Sequence, residues 1–143
     1  MRLNPYLSFN GTCREAMDFY AKVLNAPSEG IMTYGETPMA GDMPAEMLGR
    51  VAHARIRIGD ALLMASDSPA SLYQTPQGVT VTLNIDEPAE ADRVFASLSE
   101  GGTITMPIAE TFWAHRFGTC IDRFGTPWMV NCEKPMAAAQ AAE

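Results

Sequence analysis

One pattern occurs twice in this sequence, and that repetition limits what the chain can fold into. Residues 112–132, FWAHRFGTCIDRFGTPWMVNC, read as strands at 116–121 and 127–132 around a turn at Asp122-Arg123-Phe124-Gly125-Thr126. Aromatic and β-branched residues bounded by Gly and Pro signal a hairpin. Trp113 stands just before its first strand and Trp128 inside its second. Upstream, 52–58 and 61–66 flank Gly59-Asp60, a favoured two-residue turn.

What precedes each hairpin also repeats. Residues 4–9 form a short apolar strand ended by Asn10-Gly11. Thr12 then opens a helix over 12–24, with Glu15 completing a capping box. Ala16, Phe19, Tyr20, Val23 and Leu24 give it one apolar face, and Asn25 and Pro27 stop it. A strand is expected at 29–34. In 35–49, Pro38, Gly41 and Pro44 interleave with Met39, Met43 and Met47, which suggests an anchored loop. The Ser- and Pro-rich 66–76 connects the halves.

The second half restarts at 79–85. Val79, Val81, Leu83 and Ile85 alternate there with Thr80, Thr82 and Asn84. Asp86 is placed to cap a helix over 87–100 with Pro88 in its first turn and Ala91, Val94, Phe95 and Leu98 as its buried stripe. Gly101-Gly102 ends it, and 103–107 is a short strand. The predicted fold class is α+β: a βαβββ module built twice, with eight strands and two principal helices. One domain is expected over 1–133, made of modules at about 1–66 and 77–133, with a frayed Ala-rich tail at about 134–143.

This sequence resembles the glyoxalase/bleomycin-resistance/extradiol-dioxygenase group, the vicinal oxygen chelate superfamily. It is most similar to the PhnB-like branch, some of whose members are labelled demethylubiquinone-methyltransferase-like. The likeness is carried by Asn4-Pro5-Tyr6-Leu7-Ser8-Phe9-Asn10-Gly11, Glu15-Ala16, Phe19-Tyr20, His53-Ala54, Ile58-Gly59 and Leu63-Met64. It continues through Phe112-Trp113, Phe117-Gly118 and Asp122-Arg123-Phe124-Gly125 to Trp128 and Asn131. The resemblance implies mixed sheets curled around a cavity and completed by dimerisation. It also implies four metal-ligand positions, which landmarks place at Pro5, Met64, Thr80 and Met129. Pro has no donor atom, a thioether is a soft ligand and a neutral hydroxyl suits Zn²⁺ or Fe²⁺ poorly. The expectation is a protein without metal or other cofactor.

His53 and His115 are the only histidines. His53 shares a strand face with Arg55 and Arg57, where a half-exposed histidine among surface charges is the plainer reading. His115, just before a strand, is a pocket candidate. Trp113 serves either as core or as pocket rim. Arg50, Arg55 and Arg57 form the one basic cluster, a solvated face with ion pairs or a means of steering an anion. Met32, Met39, Met43 and Met47 suit a lid over an apolar ligand or an anchor in a dimer interface. Gly30 to Gly35 has P-loop spacing, but Glu36 stands where Lys is required. No dinucleotide fingerprint, HExxH or nucleophile elbow is present.

A formal net charge of -7 argues against nucleic acid, and no apolar run approaches membrane-spanning length. Cys13, Cys120 and Cys132, an odd set without CxxC, fit free thiols in the cytoplasm. The leading expectation is a cytoplasmic homodimer that binds a small, partly apolar molecule. Its pocket face would carry Leu7, Met64, Thr80, Thr82, Asn84, Met129 and Asn131, with Trp113 and His115 beside it. Two alternatives compete. One is a metal-dependent lyase, isomerase or dioxygenase with ligands relocated to His53, His115, Glu46, Glu110 or Asp122. The other is a structural or regulatory dimer.

Overall fold

A computed structural model describes residues 1–135, and these separate into two compact units that divide between Gln74 and Thr75. The first unit contains β1 (Tyr6–Phe9), α1 (Cys13–Val23), β2 (Ser28–Thr33), β3 (Val51–Ile58) and β4 (Ala61–Asp67). The second contains β5 (Val81–Asn84), α2 (Pro88–Ser99), β6 (Thr103–Ala109), β7 (Ala114–Ile121) and β8 (Pro127–Glu133). The sheets are ordered β1-β4-β3-β2 and β5-β8-β7-β6. In each, the first strand pairs in parallel with the last, and the other pairs are antiparallel. The duplicated βαβββ pattern is therefore present, with eight strands and two principal helices among the described residues.

Each helix covers one face of its own sheet. Cys13, Ala16, Met17, Tyr20 and Val23 of α1 are buried, so Met17 joins the expected stripe, while Phe19 and Leu24 stay half-buried. All four predicted residues of α2, Ala91, Val94, Phe95 and Leu98, are buried. Phe95 fits against β7 because position 118 is glycine; a Cβ there would lie 2.9 Å from both the Phe95 ring and the Ile108 backbone.

Three local expectations are corrected. Thr12 makes no side-chain cap to α1, so the capping box does not form. Asp67 at the end of β4 takes the Gly11 and Cys13 N–H groups instead, at 2.8 and 3.0 Å. The N-cap of α2 is Glu87, not Asp86, and it makes no side-chain cap either. The strand predicted at 79–85 is only Val81–Asn84, with Val79 76% exposed and Thr80 outside it. Val81 pairs with Trp128, and Pro127, next along β8, has no N–H with which to extend the ladder.

The 35–49 segment is anchored as expected. Tyr34 and Gly35 donate N–H bonds to the carbonyls of Arg50 and Leu48, and Met47 is buried. Met43 and Met47 line a cleft of about 360 Å³ beside Arg50 and Pro69, whereas Met32 and Met39 are exposed. At the other end of the chain Lys134 is still tied down, its N–H to the Trp113 carbonyl and its ammonium to that of Thr111. The rest of the tail called frayed lies, from residue 136, outside the described residues.

Candidate functional site

Strand register fixes which side chains share a face, because paired residues point the same way. In the first unit Ala54, Ile56, Leu63, Ala65 and Asp67 are buried on the α1 side. The helix-free side therefore carries the alternate positions. Tyr6 pairs with Met64 and Met64 with Arg55, making one row across three strands. Ser8 with Ser66, and His53 with Met32, belong to the next row. The Tyr6 hydroxyl lies 3.5 Å from His53 Nδ1, with ring centroids 5.9 Å apart. Glu29 meets Arg57 at 2.6 Å and Arg55 at 3.4 Å, and the Arg57 hydrogen bond holds its carboxyl below the usual range. Arg50 stands apart, bonded to Asn10 and to the Ser68 carbonyl, so the expected three-arginine cluster is two arginines around one acid.

In the second unit Leu83, Trp128, Val130 and Cys132 are buried with α2. Thr82 pairs with Met129, Met129 with Thr119, Asn84 with Asn131, and Asn131 with Phe117, all on the helix-free side. The Thr82 hydroxyl contacts the Met129 sulfur at 3.6 Å, and Asn131 Nδ2 donates to Asn84 Oδ1 at 3.1 Å. Asn131 is 8% exposed, and its own Oδ1 is buried with no hydrogen-bond partner. Such an atom costs about 1–3 kcal/mol unless something donates to it. Next to this row a cleft of about 320 Å³ is lined by Thr80, Thr105, Thr119, Ile121 and Trp128.

Of the residues singled out from sequence, Met64, Thr82, Asn84, Met129 and Asn131 lie on helix-free faces, and Thr80 lines the cleft. Leu7 does not: it pairs with Ala65 and points to the helix side, a one-residue register error that gives its place to Tyr6. Trp113 is half-buried edge-on between Phe112 and Phe117, at centroid distances of 4.8 and 5.1 Å. His115 is exposed. Tyr6 and Phe117, not among the expected pocket residues, also lie on helix-free faces, and strict period-2 counting back from the buried Phe9 separates Tyr6 from Leu7.

Asp122 does more than cap its turn. Its Oδ1 accepts from the Phe124 and Thr126 N–H groups at 2.8 and 3.0 Å, and its Oδ2 from the Trp128 indole at 2.8 Å. Cys13, Cys120 and Cys132 are free and buried. Burial, then the field of Asp67, pushes the Cys13 thiol up to about 12; burial and then Asp122 push Cys120 to about 11. The position of Cys13 at a helix start therefore does not activate it. An aromatic disulfide reagent should find no fast thiol at pH 8 and three per chain in denaturant; one rapid native equivalent would contradict this burial. Because the folded values exceed the unfolded one of 9.0, ionisation favours the unfolded chain only above that pH. Stability should hold below pH 9 and decline as the pH rises towards 12.

The side chains do not suit a divalent metal. Of the four positions implied by the resemblance, Pro5 and Thr80 lie outside β1 and β5, and the strand residues that pair with Met64 and Met129 are Tyr6 and Thr82. These are two thioethers and two neutral hydroxyls, a donor set unsuited to Zn²⁺ or Fe²⁺. No group of three or more His, Cys, Asp or Glu among the described residues is arranged to hold a metal. Of the relocated candidates, Glu110 pairs with Lys134 at 3.5 Å, and Asp122 is occupied by its turn and Trp128. Nor does the β1–α1 turn suit a nucleotide-type cofactor, since the Gly11 and Cys13 N–H groups that would cradle an anion are held by Asp67.

Two βαβββ units with open sheet faces define a protein of the glyoxalase/bleomycin-resistance fold. The model of the family described as 3-demethylubiquinone-9 3-methyltransferase matches residues 1–131. The chain belongs to that family, the PhnB-like branch. It is 37% identical over 142 residues to Protein YjdN of Escherichia coli (strain K12), covering 94% of this chain and 97% of the relative. The crystal structure of protein PA1353 from Pseudomonas aeruginosa is 43% identical, with a TM-score of 0.86 over 94% of this chain and 99% of that one. The PhnB protein of Bacillus cereus shares the fold at 24% identity, with a TM-score of 0.75 over 92% and 98% of the two chains.

Proposed function

We propose that this protein binds a small, partly apolar molecule on the helix-free faces of its sheets, without a metal ion, as a cytoplasmic homodimer. The observation that carries the reading is Asn131. A buried amide whose carbonyl lacks a donor within the protein, beside Met129, Phe117 and Asn84, suits a ligand whose N–H or O–H reaches it after a side-chain shift on an apolar surface. Thr80 and Thr82 extend that surface within the second unit, with Trp113 and His115 at the start of β7 as its outer contacts, and Met64 belongs to the separate helix-free face of the first. The edge strands β2 and β6, with Met32, Ile104 and Met106 exposed, offer a second copy something to cover. Three free, buried thiols agree with a reducing compartment. No helix among the described residues is long and apolar enough to cross a membrane.

Native mass spectrometry of tag-free protein tests the three parts together. The expected species is a dimer without metal that retains an organic molecule, and the retained mass should disappear in Asn131→Leu. About one transition metal per chain, released by chelator, would sink the metal-free reading. A monomer at micromolar concentration would remove the dimer. A dimer that carries neither metal nor adduct would favour the structural alternative.

A further inference from the structure

The helix-free faces of the two units differ in charge. The paired rows of the second unit's face present Thr82, Asn84, Phe117, Thr119, Met129 and Asn131, all uncharged, with one exposed imidazole, His115, at the margin and no guanidinium among them. The face of the first presents two guanidiniums and an imidazole, in a chain whose net charge is -7. The acids near them are unequally shared. Glu29 makes a two-point contact with Arg57, at 2.6 and 3.3 Å, and Asp60 also acts on Arg57. Arg55 has a single 3.4 Å approach to the same carboxylate and keeps donors to spare. Beside it, the Tyr6 hydroxyl lies 3.5 Å from His53 Nδ1, and in the tautomer where Nδ1 accepts, the imidazole proton on Nε2 is a further donor. Between Tyr6 and Arg55 lies Met64, half-buried, whose thioether with the Tyr6 ring gives an apolar floor that suits a flat ring.

The geometry points to this face as a subsite for a small aromatic or apolar carboxylate, or a comparable monoanion. Its charged end would lie on Arg55 and His53 and its body on Met64 and Tyr6. The assignment rests on the reading that ligands occupy helix-free faces and adds the charge class that the first unit selects. Guanidinium suits a planar anion because two parallel N–H groups match two oxygens. The neutral amide of the same shape would lose that match.

Benzoate and benzamide are therefore the probes, titrated calorimetrically against the full chain and against Arg55→Gln and His53→Gln. Arg55 is exposed at the surface, and unchanged melting of each variant would show that it folds. Benzoate should bind about tenfold more tightly than benzamide, as charge-assisted hydrogen bonds are about twice as strong as neutral ones. That preference should vanish in Arg55→Gln and fall in His53→Gln. Equal binding of the two probes, or a preference that survives Arg55→Gln, overturns the anion subsite and leaves the helix-free-face reading standing. Binding of neither probe at millimolar concentration overturns both for this face.

Discussion

An Asp67→Ala protein is expected to unfold with about 3–5 kcal/mol less free energy than the parent, because three N–H groups, two of them in buried bonds, lose one acceptor at once. Oδ1 takes Gly11 and Cys13 at 2.8 and 3.0 Å, and Oδ2 takes Val51 at 2.9 Å. Asp67 is 2% exposed, so water does not readily replace it. The carboxylate joins the end of β4, the entry to α1 and the first residue of β3, and its loss frees all three. Asp67→Asn should be intermediate, since its carbonyl still serves Gly11 and Cys13 while its NH₂ faces the Val51 N–H. Urea unfolding with an unchanged slope is the measurement. A loss under about 1 kcal/mol for the alanine variant would show that these bonds are replaced at little cost.

Trp128→Ala should cost the second unit about 3–5 kcal/mol, the range for deleting a large buried aromatic. Trp128 is 1% exposed on the α2 side of β8, and its indole donates to Asp122 at 2.8 Å. Trp128→Phe separates the two contributions: most of the packing remains and the hydrogen bond goes, for a loss of about 1–2 kcal/mol. Equal losses in the two variants would assign the whole effect to the hydrogen bond. Thermal unfolding of both proteins reads the difference.

The parts of the fold legible in the sequence were those decided locally. Ala91, Val94, Phe95 and Leu98 recur at helical spacing and need only one sheet face to bury them, so α2 could be read directly. The start of α1 could not. Thr12 and Glu15 fit a capping box, but a carboxylate 54 residues away from Cys13 takes the N–H groups. Alternation over 79–85 also misled, because strand length depends on the neighbour and Pro127 stops the ladder. The site followed the same division. Thr82, Asn84, Met129 and Asn131 were found by parity within strands that were correctly framed. Leu7 was misplaced because β1 is four residues long and a single step of register reverses its faces. The partnerships that give the site its character, Tyr6 with His53 and Asn84 with Asn131, each span 47 residues and have no local signature.

The parallel pairing of first strand with last sets the order in which such a chain can mature on the ribosome. β1 lies at the sheet edge with β4 as its neighbour, and Tyr6 finds its place only opposite Met64; β5 waits in the same way for β8. Synthesis from the N-terminus delivers β1 and α1 first and the strand that holds them last. The N–H groups at the start of α1 meet their acceptor only once Asp67 has emerged. Each nascent unit therefore stays open, with an unpaired strand edge exposed, until its final strand leaves the exit tunnel. Contacts that close so late in the sequence make folding slow relative to helical proteins of the same length.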